Sequence, residues 1–418
     1  MPLRQFWLAL ASIALLVTAT AAGDQPSALR RVAATGDPAP GGGVFDRFGA
    51  EAMPIVAPVN ARGDVAFFGT LGRAGTDEGF FLWSSGGRAT AVAREGDRVA
   101  GVGRLSGFGK HPAPALADDG TVVFGAAIAE GRAVEGIFAA RGGRLRAVAL
   151  SGAAAPGIPS GVLATLDAPA VNARGDVAFL ATVRRGRESL EAIMLSTRGK
   201  LQKIVVQGEP APAGGTFAGF GPPSLNREGA IAFGAAVEGR AVPGGIFVWS
   251  AGALRMVLGA GDDTPIGGIF AKFSERLGFS DGGAIAFHGL LKLAPVAAAI
   301  FAIDGSRPRV VAQLGQPAPG GGRFSNFGLW PAMSSTGAIG FAAAIDDGPS
   351  PMIIVRETRD GLQRVVGVGD SLPDGARIAS FTLLPVVSVG PTGAVSFAVA
   401  PTATGGGPEG VFLAAPTP

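Results

Sequence analysis

The sequence has no cysteine, no tyrosine and only two histidines, His111 and His288, in 418 residues. Without cysteine there is no disulfide, no thiol nucleophile and no cysteine-borne lipid anchor. With two imidazoles, zinc and iron sites of ordinary composition are close to excluded. Charge is sparse as well: 16% of residues are charged, and 35 basic against 32 acidic side chains leave a formal net charge of +3. The sequence pI of about 9.8 follows from that small excess, because without tyrosine and with mostly arginine among the bases little titrates between neutrality and the arginine range. No basic cluster interleaved with aromatics accompanies it, so nucleic acid is not an expected partner.

Long apolar runs are also few. Arg4, an apolar stretch from Phe6 to Val17 and small residues up to Ala22 read as a cleaved secretory signal over residues 1–22, too short to span a bilayer comfortably. The protein is therefore expected to be exported, periplasmic or extracellular, with no membrane span after cleavage, and to be a soluble monomer. What is abundant is Gly (68) and Pro (31), set among 47% hydrophobic residues. Glycine and proline that punctuate apolar runs describe a turn-rich all-β protein rather than a disordered one.

The punctuation is periodic. Seven times the chain repeats a turn followed by a short apolar strand: Asn60 to Phe67, Ala117 to Phe124, Asn172 to Phe179, Asn226 to Phe233, Ser280 to Phe287, Ser334 to Phe341 and Gly390 to Phe397. The turn glycines, from Gly63 to Gly393, are 57, 55, 54, 54, 54 and 56 residues apart. Asn or Ser at the first position can bond its own backbone two residues on, and the Gly supplies the positive φ that the turn demands. The Phe four residues later is placed to fill a wedge between neighbouring units. A second series, such as Gly79 to Trp83 and Gly245 to Trp249, marks another strand in each unit.

In the unit from Leu201 the reading is a strand, a Pro/Gly loop PAPAGGTFAGFG, a short strand PPSLN, the turn, and two further strands. Four short strands in about 54 residues match one blade of a propeller. The last unit lacks its closing strand after Gly410 to Ala414, and an unmatched strand, Leu29 to Asp37, stands at the start. The expected fold is thus an all-β seven-bladed β-propeller, one domain over residues 29–414, closed when the N-terminal strand completes the last blade. The chain resembles a largely uncharacterised family of secreted bacterial proteins with tandem NxxGxxAF repeats. Only Asn60, Asn172 and Asn226 keep the Asn of that pattern. The resemblance implies a propeller-like fold and brings no activity and no catalytic residue.

Candidate chemistry rests on carboxylates. One series closes the outer strands: Asp37, Asp97, Glu209, Asp262 and Asp370. A second precedes the third strands: Glu78, Glu135, Glu191 and Glu409. Both are expected at the face opposite the NxxG turns, where convergence on the axis would suit calcium or a general acid and base. The simpler expectation is turn chemistry, with the Asp capping backbone amides. Phe45, Phe217 and Phe324 could line a recognition surface or pack under their own loops. No G-x-S-x-G elbow, phosphate loop or dinucleotide fingerprint occurs in a βαβ context, and no break in the repeat symmetry looks catalytic. The expectation is a binding or scaffolding module for a protein or glycan, without a catalytic residue or cofactor. The alternatives are a hydrolase, lactonase or lyase with an acidic, calcium-assisted channel site, and a structural envelope protein.

Overall fold

Within each unit the strands are β-branched or aromatic, and the turns that join them are too short for a crossover, so consecutive strands can pair only antiparallel. A computed structural model describes residues 28–49, 54–72, 78–108, 112–239, 243–305, 307–382, 384–402 and 407–416. The signal expected over residues 1–22 and His111 lie outside the described residues. Seven antiparallel sheets form a seven-bladed β-propeller, with no helix among the described residues.

Blade four shows the pattern. Its inner strand is Thr216–Phe220 continued by Ser224–Leu225, its second strand Ile231–Glu238, its third Gly244–Ser250 and its outer Ala253–Gly259. The segment expected as a Pro/Gly loop is therefore half strand. Pro222 and Pro223 interrupt the pairing, but both pieces lie against the same second strand. Proline is tolerated there because the free edge of the inner strand faces the central channel, where no partner needs its N–H.

Ring closure takes the expected route. Leu29–Ala34 pairs antiparallel with Gly410–Ala414, from Leu29 opposite Ala414 to Ala34 opposite Gly410. It becomes the outer strand of the seventh blade and covers the edge that Gly410–Ala414 would otherwise leave open.

The motif phenylalanines form the core: Phe67, Phe124, Phe179, Phe233, Phe287, Phe341 and Phe397 are all within 2% of complete burial. They sit between blades; Phe233, for instance, clusters with Ile193 and Leu195 of the preceding blade. Phe45, Phe217 and Phe324 are equally buried and line no surface. They belong to the inner strand, and two of them meet a third-strand aromatic edge-on, Phe217 on Phe247 with centroids 5.0 Å apart and Phe45 on Phe81 at 4.8 Å.

Candidate functional site

The two carboxylate series have separate local tasks. In the first, each acid accepts a bond from the backbone N–H three residues before it: Asp37 from Ala34 (2.8 Å), Asp97 from Arg94 (2.8 Å), Glu209 from Val206 (3.1 Å), Asp262 from Gly259 (2.7 Å) and Asp370 from Gly367 (2.8 Å). Glu209 and Asp370 also pair with Lys203 and Arg364. These residues hold the turn that carries the chain from one blade's outer strand to the next blade's inner strand.

The second series bridges blades. Glu78 accepts from the Phe108 N–H (2.8 Å), Glu135 from Leu166 (2.7 Å), Glu191 from Phe220 (2.9 Å) and Glu409 from Phe48 (2.8 Å). Each of these glutamates, in or just before a third strand, thereby holds the inner strand of the following blade, and Glu409 does so across the ring closure. Among the described residues no three Asp, Glu, His or Cys side chains gather as a metal-holding group.

Burial pushes the Glu135 and Glu409 carboxyls above their ordinary range. The backbone bonds they accept act in the opposite direction. The folded state then holds these protons where the unfolded chain has released them. The stability they contribute is full below the ordinary Glu value and falls as pH rises through the folded one. Glu409→Gln keeps the acceptor without the charge, and is expected to match wild type near pH 4 and to melt at an equal or higher temperature at pH 8. Glu409→Ala leaves the Phe48 N–H without its acceptor and should lose roughly 1–2 kcal/mol at both pH values. Melts of the three proteins decide it, and a Gln variant as weak as the Ala variant would refute the clasp.

At the opposite face the NxxG turns lock together through the asparagines. Asn172 Oδ1 accepts from the Arg174 and Asp176 amides, as the turn requires, while its Nδ2 donates to Asp176 Oδ2 and to the Asn226 carbonyl of the next blade, both at 3.0 Å. Asn60 and Asn226 reach Ala117 and Ser280 in the same way. Ser280, centred in a Gly278–Gly282 run with G-x-S-x-G spacing, is 3% exposed and its Oγ accepts the Ala284 N–H. It is a turn residue without the exposure of a nucleophile.

The inner strands leave a channel on the axis. Its middle section, about 250 Å³, is lined by apolar residues such as Val59, Leu116, Val171, Leu225, Phe279 and Met333. A recess of about 210 Å³ opens at the NxxG ring and another of about 160 Å³ toward the opposite face.

In the second recess the symmetry breaks, contrary to the sequence reading. Four positions before the first residue of each NxxG turn the seven blades carry Val56, Ala113, Ala168, Pro222, Arg276, Trp330 and Val386. Five are small or apolar, one is a cation and one an indole. The Arg276 guanidinium lies 5.8 Å from the Trp330 ring centroid, within cation–π range. Asp167 and Glu275 stand on the same lining, and prolines 54, 112 and 222 form much of its wall.

Neighbouring residues tie down the backbone that carries both side chains. Ser274 Oγ donates to the Arg276 carbonyl (3.0 Å) and accepts the His288 backbone N–H (3.2 Å). The His288 ring hydrogen-bonds the Leu329 carbonyl, beside Trp330, and burial lowers its pKa below the ordinary histidine value, so it stays neutral at pH 7. Burial likewise holds the Arg276 guanidinium below the usual arginine range, with Asp167 acting against that shift. Arg356 makes the contrast: also buried, it donates to the Gly393 carbonyl and to Gln363 Oε1. Among the described residues no hydrogen bond or ion pair closes on the Arg276 guanidinium, which is packed round by protein yet reached by solvent through the mouth.

The architecture is a closed seven-blade ring with one asymmetric recess on its axis. Residues 59–411 match a family of unknown function, DUF7453, and the chain belongs to that family. No curated protein matches it in sequence. Among solved structures it is similar to a puromycin hydrolase, complexed as its S511A mutant with PGG, at 14% identity and a TM-score of 0.48, covering 85% of this chain and 52% of that one. It is also similar to an acylaminoacyl peptidase of Pyrococcus horikoshii (11%, TM-score 0.47, 86% and 52% covered) and to a gluconolactonase of Xanthomonas campestris (12%, TM-score 0.35, 94% and 96% covered). The chain spans about half the length of the two hydrolytic enzymes, and likenesses this distant carry no functional argument.

Proposed function

We propose that this protein is an exported binding module that takes hold of a protein partner at the channel mouth opposite the NxxG ring. The observation that supports it is Arg276, a cation on which no hydrogen bond or ion pair closes among the described residues, 5.8 Å from the Trp330 ring centroid in a recess where the repeat departs from its pattern. Buried charges are ordinarily paired, and a guanidinium with Asp167 nearby but no direct hydrogen bond is suited to an incoming acceptor. Loops and rims on a rigid scaffold are where ligands are usually met. The enzyme reading has less support, because the nine carboxylates of the two series are spread around the ring and each engages a backbone amide, which leaves Asp167 and Glu275 as the acids on the recess among the described residues. A glycan has less support than a protein, because the recess is walled largely by proline and small apolar side chains that offer few partners for sugar hydroxyls.

The test is capture from a cell-envelope extract on immobilised wild type and on Arg276→Glu, quantified side by side. Partners held by wild type and lost by the charge-reversed protein are the expected result. Equal capture by both, or an oligosaccharide that binds wild type in place of any protein, would overturn the reading.

A further inference from the structure

We infer that the recess accepts the C-terminal carboxylate of a peptide ending in small apolar residues; this rests on the binding reading above. Three properties of the recess converge on that ligand. The first is charge. Among the described residues Arg276 is the single cation on the lining, and Asp167 and Glu275 share it. A carboxylate satisfies the guanidinium with one negative charge, in the planar two-bond geometry that arginine favours. A phosphate or a run of acidic residues would bring further negative charge against the two acids.

The second property is the wall. Val56, Ala113 and Ala168 join the three prolines, so the body attached to the carboxylate meets apolar surface. A uronic acid would leave hydroxyls there without partners, at a cost for each one. The third is shape. Residues of six of the seven blades encircle the recess, from Pro54 in blade one to Trp330 in blade six. Its 160 Å³ holds about five water-sized groups. A well on the axis of a ring admits a chain end, whereas an internal loop must pass two strands of backbone through the same opening. The Trp330 indole lies 5.8 Å from the guanidinium, and Ser274 holds the backbone from which the Arg276 side chain projects.

The experiment compares N-acetyl-Ala-Ala-Val as free acid and as C-terminal amide, with trigalacturonate and inorganic phosphate alongside, by calorimetry and ligand-observed NMR on the mature chain. The free acid is expected to bind, and the amide about tenfold or more weakly, the loss of one charge-assisted pair. Arg276→Gln should weaken the acid to the level of the amide and leave the amide unchanged, while Arg255→Gln on the outer strand of blade four changes neither. The comparison of acid with amide on wild type needs no variant to fold. Equal binding of acid and amide, or Arg276-dependent binding of trigalacturonate or phosphate in their place, would overturn the assignment. If wild type binds no tripeptide yet captures a protein through Arg276, the C-terminus assignment fails and the binding reading stands; if capture is lost as well, both fall.

Discussion

A chain begun at Asp37, without Leu29–Ala34, is expected to lose cooperative folding or to melt far below the full-length protein. The missing strand buries Val32, Ala33 and Ala34 and pairs along all of Gly410–Ala414. Its apolar burial and ladder bonds are together worth roughly 5 kcal/mol, a large part of the margin of a typical domain. Truncation also leaves the third strand of the last blade as an open edge, a template for association with other chains. The diagnostic control is to append the same strand after Ala414 through a short turn, where the other six blades have their outer strand. Thermal melts and light scattering should show the truncated chain unstable and aggregating, and the permuted chain restored. A truncated chain that melts like wild type would show that the closing strand is dispensable.

Asn172→Ala should be the most damaging polar substitution in the NxxG ring. It removes the acceptor of two turn amides, the donor to the buried Asp176 carboxylate and the donor to the Asn226 carbonyl. Burying those groups unsatisfied costs about 3 kcal/mol. Asn172→Ser should recover part of this, because Ser280 and Ser334 occupy the same position and each accepts a turn amide through Oγ. Serine cannot reach the next blade as the amide nitrogen does, so the recovery is partial. Chemical denaturation of the three proteins measures the order, and an Ala variant as stable as wild type would refute the blade-to-blade role.

Much of this was legible from residue patterns, for reasons that act locally. The turn glycines Gly63 through Gly393 all have φ between 76° and 91°, a requirement that a single turn imposes and a single turn reveals. The motif Phe is buried because its strand is apolar on both faces, and that too shows in a run of eight residues. The Asp caps are bonds across three residues. By contrast, the glutamate clasps join positions 29 to 31 residues apart, or 361 for Glu409 and Phe48. No local pattern marks which blade supplies the amide. The inner strand was only half visible because its prolines read as loop wherever the channel edge is not yet known.

The sequence by itself determined the number of blades, the antiparallel order within each and the strand that closes the ring, because period, turn chemistry and an unmatched strand are properties of neighbours along the chain. Only the tertiary structure decided where chemistry can occur. Arg276 and Trp330 are 54 residues apart and belong to different blades, each an ordinary substitution in its own copy. The column of seven residues four positions before each turn does reveal them once the copies are aligned on the axis. Closing the ring brings six residues of that column onto a single lining, and burial then withdraws solvent from one guanidinium without closing a hydrogen bond on it, which turns a departure from a repeat into a candidate binding site.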